Sequence, residues 1–193
     1  MKRLLLILAL ASVSIVSSHA QKAAIKTNLL YDATATFNVG AEAALSDRWT
    51  VDLSANYNPW TWSDNTKWKH WMVQPELRWW VCQRFNGHFF GLHLQGGEYN
   101  VGNVDIPYDI LGTNYARLKE HRFEGWFIGA GLGYGYQWIL SRHFNLEAEL
   151  GFGYNYTRYD SYQCALCGKA EDVDVPHDYV GVTKAALALI YIF

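Results

Sequence analysis

The sequence predicts an all-β fold: an eight-stranded antiparallel transmembrane β-barrel whose small lumen is filled by side chains. Three observations predict it. Apolar and polar residues alternate along almost the whole chain, which is the period of a strand with two unlike faces. Charged residues sit inside the strands on the polar faces, but only at one strand end on the apolar faces. Connections alternate short and long, as in barrels that turn tightly on one side of a membrane and loosely on the other.

Composition sets the outer bounds. The chain has 193 residues, half of them apolar, with 9 Trp, 13 Tyr and 9 Phe, yet its mean hydropathy is only −0.11. A helical span needs about 20 consecutive apolar residues, and no such run follows residue 20. The aromatic content excludes a disordered chain. The length fits one domain.

Residues 1–20 read as a leader. Lys2 and Arg3 precede an apolar run from Leu4 to Val16, and Ser18-His19-Ala20 places small residues before a cleavage point. This is the pattern of a secretory signal peptide cut after Ala20, leaving 21–193 as the barrel. The expected address is the bacterial outer membrane. Loss of Lys2 and Arg3 takes the net charge from −2 to −4. That charge disfavours nucleic-acid binding, which needs clustered Lys and Arg. No phosphate loop, dinucleotide fingerprint or zinc-protease helix occurs, so no cofactor is expected.

Eight strands follow, at about residues 23–32, 37–45, 49–58, 69–81, 88–98, 125–138, 144–157 and 180–193. Each reaches the roughly 9–11 residues of a tilted spanning strand. In the first, second and fourth, Lys26, Asp32, Glu42, Glu76 and Arg78 take the polar face. In the third, Trp49, Val51, Leu53, Ala55 and Tyr57 alternate with Thr50, Asp52, Ser54, Asn56 and Asn58. His93 takes the polar face of the fifth, and His70 that of the fourth. The sixth sets Trp126, Ile128, Leu132 and Tyr134 against a row of glycines. Such a row makes room for bulky side chains, expected here from the opposite wall. The seventh sets Phe144 to Tyr156 against Glu147 and Glu149. In the last, Leu187, Leu189, Tyr191 and the terminal Phe193 share one face, and Lys184 takes the other.

With the termini in the periplasm, connections 46–48, 82–87 and 139–143 are the periplasmic turns. Segments 33–36, 59–68, 99–124 and 158–179 are the external loops, the last two the longest. The rival is a soluble barrel with apolar residues inside and charges outside. Charge placement decides against it. Lys67, Lys69, Glu98, Glu124 and Arg158, on the apolar faces, lie at external strand ends, while Trp49, Tyr57, Trp71, Trp79, Trp126 and Trp138 mark the belt edges.

Seven blocks carry a family resemblance: KTNLLYDA at 26–33, NYNPW at 56–60, KWKHW at 67–71, QPELRWW at 74–80, FNGHFFGL at 85–92, GWFIGAGLGYGYQW at 125–138 and CALCG at 164–168. Together they resemble the outer-membrane β-barrel family known as domain of unknown function 3575, of Bacteroidales type. The resemblance covers nearly all of 21–193. It implies an outer-membrane barrel, some relatives of which lie in fimbrial gene neighbourhoods, and it carries no catalytic residues.

Three candidate sites follow. Lys26, Asp32, Glu42, Asp52, Glu76, Arg78, Glu147, Glu149 and Lys184 are expected to pair in the lumen, because an eight-stranded interior is just wide enough for side chains. The bland role is a structural plug; the sharper one is a proton or cation path. Cys164 and Cys167 share an external loop, opposite Cys82, and in an oxidising compartment are expected to form a disulfide. The alternative is a metal site with His177, helped by Asp172, Asp174 or Asp178. Ser63, Asp64, His70 and Glu98 are rim polar residues available to a lipid-modifying enzyme.

The expected role is structural or surface-interacting, linked to an appendage or envelope protein partner and to outer-membrane lipid and lipopolysaccharide. A narrow ion or small-solute channel is the first alternative, and a lipid-modifying enzyme the second.

Overall fold

The computed structural model describes residues 23–104, 109–110, 113–114, 118–164 and 166–193. The leader expected at 1–20 lies outside them. Eight strands close into an antiparallel barrel: β1 (Ala23–Asn28), β2 (Phe37–Ala44), β3 (Trp49–Asn58), β4 (Lys67–Trp80), β5 (Gly87–Gly102), β6 (Arg122–Ile139), β7 (Phe144–Tyr162) and β8 (Ala170–Ile192). Each strand pairs with its sequence neighbours, and β1 pairs with β8 from Ala24 opposite Ile192 to Asn28 opposite Ala188. Closure leaves the barrel sheet itself without an edge strand. No helix among the described residues is long and apolar enough to cross a membrane.

The faces are inverted relative to a water-soluble protein. Leu53, Leu92 and Leu132 on the outer wall are 52%, 53% and 68% exposed, while Arg78, Glu76 and Glu147 inside are 1%, 2% and 0% exposed. Aromatic side chains band the outer wall at two levels. Tyr57 stands opposite Trp71 on β3–β4, and Trp49 opposite Trp79.

The two ends differ, as the connection lengths predict. Residues 45–48, 81–86 and 140–143 make tight turns at one end. There Phe85 adopts φ 60° and is only 3% exposed. Its left-handed backbone costs about 1–2 kcal/mol, offset by burying the ring beside Trp80 at 6.0 Å.

The other end departs from expectation in two ways. The first strand stops at Asn28 rather than running to residue 32. The Asn28 side chain accepts from Leu30 N and caps a one-turn helix α1 (Leu29–Ala33), because a capping amide competes with the strand ladder. The segments expected as the longest loops also carry strand: both ends of 99–124 and most of 158–179. β5 and β6 pair out to Gly102 opposite Arg122, and β7 and β8 out to Tyr162 opposite Ala170. Register shifts at Ala170/Asp172 and Asp172/Val175 break the alternation there and mask the strand.

Candidate functional site

From the turn end upward, the lumen is built in layers. The floor is built on apolar side chains: Trp80, Phe89 and Ile190 are wholly buried, with the Trp80 and Phe89 rings 4.8 Å apart. The Trp79–Trp80 doublet explains half of this layer. Consecutive strand residues face opposite ways, so if Trp79 belongs to the outer belt, Trp80 must enter the lumen. The Arg78 guanidinium lies 4.5 Å over the Phe89 ring and joins floor to charge.

Above the floor sits an ion-pair layer. Arg78 is its hub, with Nη1 2.9 Å from both Glu42 Oε2 and Glu147 Oε2, Nη2 2.8 Å from Glu149 Oε2, and Nε 3.1 Å from Glu76 Oε1. Only arginine offers donors on three nitrogens in a rigid plane. Lys26 Nζ stands 2.8 Å from both Glu42 Oε2 and Asp52 Oδ2. Lys184 pairs with Glu76 and, at 3.1 Å, with Glu149. The structure thus brings together Lys26, Glu42, Asp52, Glu76, Arg78, Glu147, Glu149 and Lys184. Asp32 does not join them. Strand β1 ends before it, and from α1 its carboxylate accepts from Thr27 Oγ1 at 2.9 Å and Asn38 Nδ2 at 2.7 Å. Thr50 extends the layer, donating to Glu42 at 2.5 Å while it accepts from Trp80 Nε1 at 3.0 Å.

Next comes an uncharged polar layer. Gln74 donates to Gln95 at 2.7 Å, and Gln95 to Asn155 at 2.6 Å. His93 is fully buried, with Nε2 2.8 Å from Thr183 Oγ1. The glycine row of β6 makes its niches here, but for neighbouring strands rather than the opposite wall. A Cβ at Gly129 would meet Asn155, at Gly131 His93, at Gly133 Glu149 and at Gly135 Phe89. Diagonal side chains on adjacent strands are the nearest neighbours in a tightly curved sheet. A cavity of about 40 Å³ remains beside the ion pairs, reached by Tyr31 from α1.

At the loop end, an open depression of about 780 Å³ includes Tyr57, Trp71, Trp126, Lys69, Glu98 and Arg158 in its lining. Glu98 accepts from Trp71 Nε1 at 2.9 Å. His70 Nδ1 lies 3.2 Å from the Trp68 carbonyl, and its ring faces Tyr31 at 6.2 Å. Ser63 lies on a 3-10 turn, Ser63–Asn65. Neither His70 nor Glu98 is bonded to Ser63 among the described residues, so no nucleophile–base pair is assembled from them. At the same rim, partial burial and the neighbouring Arg122 and Lys69 lower Lys67 below the ordinary lysine value.

Cys164 and Cys167 are bonded to each other, with Cα atoms 5.1 Å apart, and Cys82 is free and exposed at the turn end. The bonded sulfurs offer no thiolate to a metal. His177 sits on β8 opposite Thr157, its ring against Tyr159. The acids named with it are engaged separately: Asp172 by Ser161, Asp174 by Arg158 and Asp178 by Tyr154. No three His, Cys, Asp or Glu side chains converge as a metal site among the described residues.

No curated protein and no solved structure matches the chain. The family model described as Protein of unknown function (DUF3575) matches residues 4–193, and with its closed eight-stranded ring the chain belongs to that family.

Proposed function

We propose that the chain is an exported outer-membrane barrel that acts through its loop end and outer wall, as a structural or surface-interaction element of the cell envelope. The observation that carries this is the inversion of its faces, with apolar side chains exposed around the wall and ion pairs sealed inside. In water, an apolar wall of this extent would drive aggregation; in a bilayer it is the solvated surface. From Trp71 to Trp79, β4 advances about 26 Å at roughly 3.3 Å per residue. At a tilt of about 40° that is about 20 Å of height, and the Trp126–Trp138 interval on β6 gives about 30 Å by the same reckoning. The two values bracket the roughly 25 Å apolar band of outer-membrane barrels.

A closed lumen directs function outward. Trp80 and Phe89 fill the floor, and the Arg78 hub fills the level above. That leaves the loops, the rim depression and the lipid-facing wall to meet a partner, which we take to be an appendage or envelope protein together with surrounding lipid.

The test is membrane fractionation of the producing cells, with brominated-lipid quenching of the purified barrel. The protein is expected in the outer-membrane fraction, showing boiling-dependent gel mobility and tryptophan fluorescence quenched by bromines near the headgroups. Recovery as a soluble protein overturns the reading. Solute-sized conductance in planar bilayers would favour the channel instead.

A further inference from the structure

Among the described residues, the charges sealed in the lumen do not balance. Lys26, Arg78 and Lys184 face Glu42, Asp52, Glu76, Glu147 and Glu149, whose side chains are at most 2% exposed. Fully ionised, the layer carries two negative charges in excess, and burying uncompensated charge is costly.

Every strand around the layer has been accounted for. Lys26 enters from β1, Glu42 from β2, Asp52 from β3, Glu76 and Arg78 from β4, Glu147 and Glu149 from β7, and Lys184 from β8, while β6 contributes the glycine niches. His93 enters from β5, with Nε2 on Thr183 and Nδ1 without a partner among the described residues. An imidazolium would bury a second N–H with nothing to accept it, so His93 does not supply the missing charge.

Two of the five acids come together at one contact. The Glu76 carboxyl lies over Gly91, where a Cβ would collide with its Oε1, and the Glu149 carboxyl lies over Gly133, where a Cβ would come within 2.6 Å of its Oε1. Gly91 and Gly133 stand directly opposite each other on β5 and β6. The two carboxyl groups therefore meet above one glycine pair. Arg78 and Lys184 bind both groups, yet Glu149 Oε1 faces no donor among the described residues. An ionised carboxylate only accepts, so two carboxylates brought to one place repel each other unless one of them carries a proton.

We propose that Glu76 and Glu149 form a buried proton-binding site, in which Glu149 carries the proton and donates it to Glu76 as part of the folded lumen at neutral pH. The proton halves the excess charge and supplies the missing donor. The glycine pair is what lets the carboxyls approach. The site does not depend on what surrounds the barrel, so it stands or falls separately from the membrane reading. A proton held by the folded chain and released on unfolding makes stability fall as pH rises.

Infrared spectra of the folded protein at neutral pH are expected to show the carbonyl stretch of a neutral carboxyl group, absent from Glu149→Gln. That variant is expected to keep the wild-type unfolding midpoint, because its amide N–H replaces the proposed O–H. Glu42→Gln, which removes a carboxylate bound by Lys26, Thr50 and Arg78, is expected to lower the midpoint. Absence of the neutral-carboxyl band in the wild type overturns the proposal, and that measurement needs no variant to fold. So does a band that survives both Glu149→Gln and Glu76→Gln, or a Glu149→Gln protein that unfolds as early as Glu42→Gln.

Discussion

Thr183 and Lys184 are adjacent in sequence, yet both side chains point into the lumen. A bulge on β8 makes this happen: Val182 stands opposite Phe152, Lys184 opposite Gly151, and Thr183 is the extra residue between them. Thr183 Oγ1 meets His93 Nε2 at 2.8 Å, and Lys184 reaches Glu76 and Glu149. Before the bulge Val180 and Val182 face outward; after it Leu189 does, while Ala188 and Ile190 face in. One inserted residue thus keeps both halves of β8 in phase with the barrel.

Deleting Thr183 should therefore do far more than remove one hydrogen bond. The strand would have to turn one of its halves inside out, since a one-residue slip exchanges the faces. We expect the deletion to abolish the closed barrel, read as loss of the boiling-dependent mobility shift. Thr183→Ala keeps the bulge and is expected to cost about 1–3 kcal/mol, the cost of leaving buried His93 Nε2 without its partner.

Arg78 is the second sensitive position, because four carboxylates share its guanidinium. Arg78→Met leaves them buried against one another. Breaking a buried pair from one side costs about 3–5 kcal/mol, so the urea midpoint should fall steeply. Arg78→Lys restores charge but cannot span four partners from one nitrogen. Its midpoint should lie between those of Met and wild type.

Glycines can be ranked by what a methyl group would strike. At Gly153 a Cβ would meet the Ala130 carbonyl and lie 2.5 Å from Gly131 Cα, both backbone, so β6 and β7 would have to separate. Gly168 has nothing within 4 Å. Gly153→Ala is expected to cost about 1–3 kcal/mol, as overpacking does, and Gly168→Ala should leave the unfolding midpoint where it was.

The barrel and most of its charged layer are legible in the sequence because period two carries Glu42, Asp52, Glu76, Arg78, Glu147 and Glu149 to one face without any tertiary information. Asp32 is misplaced by the same logic. Its position is decided by Asn28, whose side chain caps α1 and ends the strand four residues earlier. The outer half of β8 is hidden for a related reason, since shifts around Asp172 and Val175 erase the alternation that would announce it. The meeting of Glu76 and Glu149 needs both the register of Gly91 against Gly133 and the diagonal lean of two side chains. Pattern alone supplies neither.

The loop disulfide should matter little to the barrel. Cys164 and Cys167 are three residues apart, so their bond removes little conformational freedom from the unfolded chain. It lies in the connection between β7 and β8, beyond the paired ends at Tyr162 and Ala170. Reduction, or Cys164→Ser with Cys167→Ser, should lower the stability by no more than about 2 kcal/mol. Mass spectrometry of the purified chain should register the gain of two hydrogens on reduction and no change with a chelator. A metal held by Cys164, Cys167 and His177 would give the opposite result, with mass lost to chelator and none gained on reduction.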